Sequence, residues 1–302
     1  MATINLGSFP RLLEPGIASI FGQNYKDHPA YTPRIFEQRN SKKNAETSVQ
    51  VTGFGLARKK DSGAEISMDG SKQGYSNRVV HVVWALGYRI TEEARDDNLY
   101  NEVINRLTPR LARSMRVTKE IVGHNILNSA FDPSVTYGDG VSLCANNHPT
   151  IGGGLQSNLA AVAADISDAS MRALYYQARL TRDDRNIPID LQITNLIAHI
   201  TKQFDIEEIL KSDLLVNTNF NNINVWKRDN IVKGVILTPY LTNENAWFFQ
   251  TDAPDSLVQY NRKPLTLRTY ADDATLDMVV TAHERYSHTC NDWRGIFGNP
   301  GS

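Results

Sequence analysis

Three features of the 302-residue sequence predict an α+β fold. A long, polar, glycine-punctuated β-arm runs from about Val49 to Ile90. A helix-forming stretch follows it directly, from Thr91 to Phe131. Strand-like and helix-like segments then alternate until a closing hairpin near the C-terminus. The arm is the most informative of the three, because two polar strands with neither face covered are marginal in water and need partners.

Residues 1 to 45 hold Pro10, Pro15, Pro29 and Pro33 with scattered aromatics at Phe9, Phe21, Tyr25, Tyr31 and Phe36, and show no sustained period. They read as an extended arm with anchor points. Val49, Val51 and Phe54 open the β-arm, and Val79-Val80-His81-Val82-Val83-Trp84 close it with the β-branched and aromatic residues that favour strands. Between them, Arg58-Lys59-Lys60-Asp61-Ser62-Gly63 and Asp69-Gly70-Ser71-Lys72-Gln73-Gly74 carry turn chemistry and turn the chain back around a solvated tip. Ile66 and Met68 are the sizeable apolar groups of that middle, so the cover is expected from outside the hairpin. The plain alternative is a long surface loop, which is uncommon at this length in compact domains.

Thr91 is placed to cap a helix, with Glu92 and Glu93 in the first turn where carboxylates complement the dipole. Leu99, Val103, Leu107, Leu111 and Met115 recur every four residues, with Ile104 beside them, and define one apolar ridge. Pro109 removes a hydrogen bond in mid-stretch, which predicts a kink or two abutting helices. A loop through Tyr137-Gly138-Asp139-Gly140, Asn146-Asn147-His148-Pro149 and Gly152-Gly153-Gly154 precedes a helix starting at Asp168. Pro188 to Ile197 reads as a strand, Ile206 to Lys211 as a short helix, and Ile231-Val232, Val235 to Leu237 and Ala246 to Phe249 as strands. Leu265 to Tyr270 and Met278 to Tyr286 flank an acidic turn at Asp272-Asp273 and form the closing hairpin.

With 41% hydrophobic content the chain can bury a substantial core. Lys plus Arg number 32 against 33 Asp plus Glu, so a net charge of -1 gives no general pull toward nucleic acid or anionic lipid, and any DNA contact is local. Two cysteines, Cys144 and Cys290, fit a reducing compartment rather than a disulfide framework. No apolar run approaches the roughly eighteen residues of a membrane span. The segment Met1 to Leu6 lacks the basic and apolar regions of a signal peptide, so the protein is expected to stay where it is translated.

The groups with chemical potential read mostly as structural. Gly53-Phe54-Gly55 and Gly152-Gly153-Gly154 lack the spacing and the following Lys-Ser/Thr of a phosphate loop. Cys144 with His148, and His283 and His288 with Cys290, lack the paired short spacings of a zinc site. The acidic pairs Asp96-Asp97, Asp183-Asp184 and Asp272-Asp273 read as solvated carboxylates. No nucleophile elbow or His-Glu-x-x-His pattern occurs. Arg106, Arg110 and Arg113 share one side of the long helix, and Arg116 and Lys119 extend its basic character. They suit packaged nucleic acid, or ion pairs with acids such as Glu120. At the arm tip Arg58, Lys59, Lys60 and Asp61 are either solvated or partners of another subunit.

The C-terminal tract His283-Glu284-Arg285-Tyr286, followed by Asp292-Trp293-Arg294-Gly295-Ile296-Phe297-Gly298, resembles the ending of Mu-like tailed-phage major head subunits. Gly138-Asp139-Gly140-Val141-Ser142-Leu143 leading to His148-Pro149 is similar to the segment after that family's spine helix. Ile206 to Leu210, the asparagine-rich loop and Ala246-Trp247-Phe248 are similar to its later central region. Cys144 departs from the pattern, standing where a larger apolar or aromatic residue is expected. The strand ending Asn195-Leu196-Ile197-Ala198-His199 is more polar than the family's.

The resemblance implies an HK97-type capsid fold, with an N-terminal arm over 1–45, an E-loop over 46–90 and a peripheral domain with the spine helix over 91–132. An axial domain then spans 133–250, and 251–302 return to the peripheral domain. It implies a major capsid protein that self-assembles into hexamers and pentamers of an icosahedral head around double-stranded DNA. It makes the protein non-enzymatic and without cofactor, synthesised in the host cytoplasm and located in the virion capsid, with no membrane partner. A separate scaffold, a portal and decoration proteins are the further partners implied. On this reading Arg58, Lys59, Lys60 and Asp61 make intersubunit contacts, and Arg106, Arg110 and Arg113 form a lumen-facing basic stripe. The lysine crosslinking of some relatives by fold is not carried over, because no partner residue or catalytic carboxylate is identified. The alternatives are an encapsulin-like compartment and a hydrolase with a dispersed active site.

Overall fold

Two four-stranded sheets and one 29-residue helix organise the chain in the computed structural model, which describes residues 10–63, 65–96, 100–214, 223–272, 274–275 and 277–302. Asp97, Leu99, Asp273, residues 215–222 of the asparagine-rich loop and the side chain of Val103 lie outside the described residues.

The first segment is helical rather than extended: α1 spans Pro10–Asp27. Its Phe21 is buried and stacks on Tyr25 at 6.2 Å, so two of the aromatics read as scattered anchors share one helical face, while Phe9 lies outside the described residues. The local sequence hides this helix because Pro10 and Pro15 interrupt its period, and packing on the long helix supplies what propensity lacks. A short α2 (Thr32–Ile35), β1 (Glu37–Asn40) and β2 (Ala45–Val51) follow, and β2 pairs antiparallel with β3 (Gln73–Val80).

The expected strand from Val79 to Trp84 is split. Val82–Ile90 forms β4, which leaves the arm and pairs with the closing hairpin. His81 marks the break: its buried ring bonds Ser287 Oγ at 2.9 Å and Ser41 Oγ at 3.0 Å, and its N–H donates to Asn44. Sequence pattern cannot show this, since both flanks are equally β-branched and only the partners differ.

The helix-forming stretch is helical on both sides of residues 97–99, which lie outside the described residues, and it is not broken at the proline. α3 (Glu92–Asp96) begins after Thr91, whose Oγ1 accepts from Ala94 N–H at 3.4 Å, and α4 runs from Tyr100 to Asn128 with Pro109 inside it. Thr108 and Leu111 on either side of Pro109 are buried, and that packing offsets the lost hydrogen bond. The buried stripe of α4 is Ile104, Thr108, Leu111, Ala112 and Met115, with Leu107 at its flank. It packs with Phe21, Ile90, Met278, Val280 and Ala282 into one core cluster.

After β5 (His148–Pro149), β6 (Leu155–Gln156) and α5 (Asp168–Arg179) come β7 (Ile193–His199), α6 (Gln203–Lys211), α7 (Val225–Arg228), β8 (Gly234–Thr238) and β9 (Trp247–Thr251). Ser167 caps α5 in a capping box with Ser170. Residues 188–192, read as the start of a strand, precede β7 without joining it. The closing hairpin is longer than its apolar run suggests: β10 spans Leu257–Ala271 and β11 spans Met278–Cys290. Its register shifts around Lys263, beside Pro264, which has no N–H for the ladder. The last strand, β12 (Ile296–Asn299), leaves the hairpin and pairs with β9.

One sheet therefore runs β1-β10-β11-β4 and the other β12-β9-β7-β8. The second is nearly dry, with Leu196, Ile197, Ile236, Phe248, Phe249 and Phe297 all buried between α5, α6 and α7 on one side and the end of α4 on the other. No helix among the described residues is long and apolar enough to cross a membrane.

Candidate assembly surface

The base of the arm is fastened firmly. Asn77 on β3 donates to Thr289 Oγ1 and to the Cys290 carbonyl, each at 2.7 Å, and His81 pins the end of β3 to β11. Burial holds the His81 imidazole below its usual pKa, with Arg285 acting in the same sense, so it serves as a neutral hydrogen-bonding pin. The ladder continues through Thr52, whose N–H reaches the Lys72 carbonyl at 2.9 Å while its Oγ1 accepts from Lys72 N–H at 2.8 Å.

Beyond Thr52 and Lys72 the ladder stops. The described residues between them form no strand, and Phe54, Leu56, Ile66 and Met68 are exposed, Leu56 at 79% and Met68 at 89%. Arg58, Lys59, Lys60 and Asp61 lie together at this far end in solvent, with Lys59 Nζ 3.4 Å from Asp61. The distal arm does touch its own subunit. Asp69 meets Arg185 at 2.9 Å, and Gln50 donates to Asp184 at 3.2 Å. A cleft of about 2180 Å³ separates the arm from the 150–157 and 177–188 segments. This leaves the four large apolar side chains uncovered, so the expected cover is only in small part the chain's own.

On α4, Arg106, Arg110 and Arg113 are exposed, away from the buried stripe. Arg116 and Lys119 do not extend that basic face. They point inward, where Arg116 lies 3.4 Å from Glu120 and Lys119 lies 3.1 Å from Glu284, which is 1% exposed. Glu120 also receives the N–H groups of Tyr31 and Thr32 at 3.1 and 2.9 Å, tying α2 to α4. Burial raises the Glu284 carboxyl, and the Lys119 ammonium opposes it. Burial likewise lifts the Tyr25 hydroxyl to about 12 and lowers His288, packed against Phe36 and Tyr286, to about 3.

The C-terminal tract that carries the resemblance is a packing device. Asp292 caps the turn at Trp293–Gly295, and Arg294, 5% exposed at its side chain, reaches Asp184 at 3.0 Å. Asp184 is thus half-buried and paired, not solvated as its acidic neighbour suggested. Gly295 lies so close to Ser256 that an added Cβ would sit 1.7 Å from its Oγ, and Gly298 backs onto Cys144 and Phe131. Cys144 fits where a larger residue was expected because Gly298 presses against it. Burial pushes both cysteine thiols up, so they behave as apolar core groups. His148 bonds Asp139 at 2.6 Å and Asn158 at 3.0 Å and stacks on Trp293, a structural network. No cluster of three metal-ligating side chains occurs among the described residues.

Sequence reasoning grouped the arm-tip charges and the α4 arginines, and the two sets sit on separate elements. It missed Arg185, whose partner Asp69 lies 116 positions away, and the buried Lys119–Glu284 pair, separated by 165. Adjacent glycines and charges in 69–74 and 183–185 were the only signals.

A family model described as phage capsid protein matches residues 77–299. Among solved structures, a virus-like particle from Pyrococcus furiosus is similar at 10% identity and a TM-score of 0.55, over 93% of this chain and 96% of that one. The procapsid of bacteriophage JBD30 is similar at 12% identity and 0.54, over 98% and 75%. The capsid of a native GTA particle is similar at 11% and 0.52, over 89% and 90%. No protein of curated function matches the sequence. These likenesses show the fold, which is consistent with the HK97 type.

Proposed function

This chain belongs to the phage capsid protein family, and from that premise we propose that it is a Mu-like major head subunit that self-assembles into hexamers and pentamers of an icosahedral shell around double-stranded DNA. The observation that carries this reading is the distal arm. A family member built to form shells projects Phe54, Leu56, Ile66 and Met68 into solvent on a stretch without a ladder. Residues 46–90 then act as an E-loop laid over a neighbouring subunit, with Arg58, Lys59, Lys60 and Asp61 as its contact tip. Residues 1–45 act as the N-terminal arm, 91–132 and 251–302 as the peripheral domain, and 133–250 as the axial domain.

Each contact between copies forms only on assembly, and apolar burial at about 25 cal/mol per Å² is offset by ordering and association costs. Single contacts can stay weak because repetition over a closed shell makes the whole durable. Arg106, Arg110 and Arg113 face the lumen in this reading and meet packaged DNA without sequence preference. A separate scaffold, a portal and decoration proteins complete the virion, whose subunits are made in the host cytoplasm. The role is structural, with no catalytic step.

Electron microscopy of the purified protein tests the reading directly. Closed shells are expected from the full chain, and deleting residues 58–74 is expected to leave a soluble subunit that forms no stable shell. Normal, equally stable particles from the deletion variant would remove the E-loop assignment. A second reading, a compartment of the same fold without a genome, draws on the likeness to the Pyrococcus furiosus virus-like particle. Particles that never carry nucleic acid in infected cells would favour it.

A further inference from the structure

At Asp69 the distal arm meets the body of its own subunit in a multidentate contact, and the two sides of that contact differ in rigidity. On the body side, Asp183 Oδ1 accepts the N–H groups of Arg185 and Ile187, each at 2.8 Å, which closes a tight turn around Asn186 at φ 65°. The next residue back, Asp184, is tied to Arg294. Arg185 therefore projects from a fixed mount. On the arm side, Asp69 accepts the Gly55 N–H at 2.6 Å and the Gly70 N–H at 2.9 Å, so both limbs of the arm are gathered at one carboxylate. Arg185 Nη1 donates to both Asp69 oxygens, at 2.9 and 3.1 Å, and its Nη2 donates to the Gly70 carbonyl.

We propose that this Arg185–Asp69 contact is a latch that holds the E-loop against its own subunit before assembly and must open for the loop to reach a neighbour. The proposal rests on the E-loop reading above. Three properties suit a reversible latch rather than a permanent brace. Both halves are pre-shaped by their own hydrogen bonds, so closing it orders little that is not already ordered. The pair is partly exposed, with 26% of the Arg185 and 43% of the Asp69 side chain open to solvent, and such ion pairs are weak and screened by salt, so a neighbour's apolar surface can outcompete it. Finally, Phe54, Leu56 and Met68 border the same cleft as Arg185, so opening the latch presents them together. A contact favouring one of two arm positions shifts their populations by its difference in free energy between them, which makes Arg185 a brake on premature association.

The test uses the full-length unassembled subunit. Trypsin cleavage at Arg58, Lys59 and Lys60 and hydrogen exchange over 52–72 report arm release, and light scattering reports shell formation. Arg185→Gln and Asp69→Asn are each expected to speed arm cleavage about three-fold, as suits a partly exposed ion pair. Arg185→Lys should be intermediate, and the Arg185→Gln/Asp69→Asn double variant should be no faster than either single one. All are expected to begin assembly at lower protein concentration than the wild type. Wild-type cleavage rates in both single variants would overturn the latch, as would fully additive effects in the double variant, or slower assembly despite faster cleavage. Should the 58–74 deletion block shells while Arg185→Gln cleaves at the wild-type rate, the E-loop reading stands and only the latch falls.

Discussion

The distal arm and the C-terminal tract use the same residue types, glycine, arginine and aspartate, in opposite surroundings. Around Gly53 and Gly70 an added Cβ would meet nothing within 4 Å, whereas at Gly295 it would meet Ser256 at 1.7 Å. Lys59 and Asp61 pair in open solvent, whereas Arg294 and Asp184 pair with about a twentieth and a tenth of their side chains exposed. Gly53 and Gly70 keep the arm adaptable, whereas Gly295 and Gly298 let the side chains of Ser256, Cys144 and Phe131 press against the tract's backbone. The difference teaches that one composition serves either an open, solvated stretch or a finished core. In this chain those two are joined at His81 and Asn77.

The core side of that contrast breaks most severely at its buried pair. Glu284→Leu leaves the largely buried Lys119 ammonium without its carboxylate partner and is expected to cost about 4 kcal/mol in chemical denaturation. The double variant Lys119→Met/Glu284→Leu should recover most of that loss, and failure to recover would mean that packing, not charge, holds the site. Next in size, Gly295→Ala is expected to cost about 3 kcal/mol through its clash with Ser256, while Gly53→Ala should stay within about 0.5 kcal/mol. Equal effects at the two glycines would dissolve the comparison.

His288 sharpens the core side through pH. Its folded pKa lies near 3 because of burial, with Lys119 and His124 also opposing its charge, while the unfolded group titrates near 6.5. The unfolded state thus binds the proton first, so this histidine's stabilising share is whole above about pH 6.5 and falls as pH drops toward 3. His288→Leu should flatten the acid limb of the stability profile between those limits. An unchanged limb would place the acid sensitivity elsewhere. The smallest effect belongs to the exposed stripe. Arg110 and Arg113 changed together to Gln should alter subunit stability by no more than about 0.5 kcal/mol. On the proposed reading, in which the stripe faces packaged DNA, the same change should weaken salt-sensitive binding of DNA to assembled particles. A large loss of stability would show that the stripe is part of the fold.

Legibility in the sequence followed range. The closing hairpin, α5 and α6 were readable because their apolar periods are local. The apolar face of α4 was readable in outline, with Ile104, Leu111 and Met115 buried as their spacing requires. α1 was not, because its prolines mask a period that only docking on α4 makes stable. Arg116 and Lys119 looked like part of a basic face because spacing along a helix assigns a side, while the acids that draw them inward come from elsewhere, Glu284 being 165 positions away.

By itself the sequence determined that this protein mixes helix and sheet, carries an arm too polar and too glycine-rich to cover itself, and ends in a tract that resembles phage head subunits. Those properties are written in local composition and period, which need no partner to be read. The tertiary structure alone decided where β3 yields to β4, which charges are buried and paired, and that Arg185 stands against Asp69. Each of these depends on residues that meet across scores of positions, and the free energy of such a meeting is a property of the pair, absent from either segment alone.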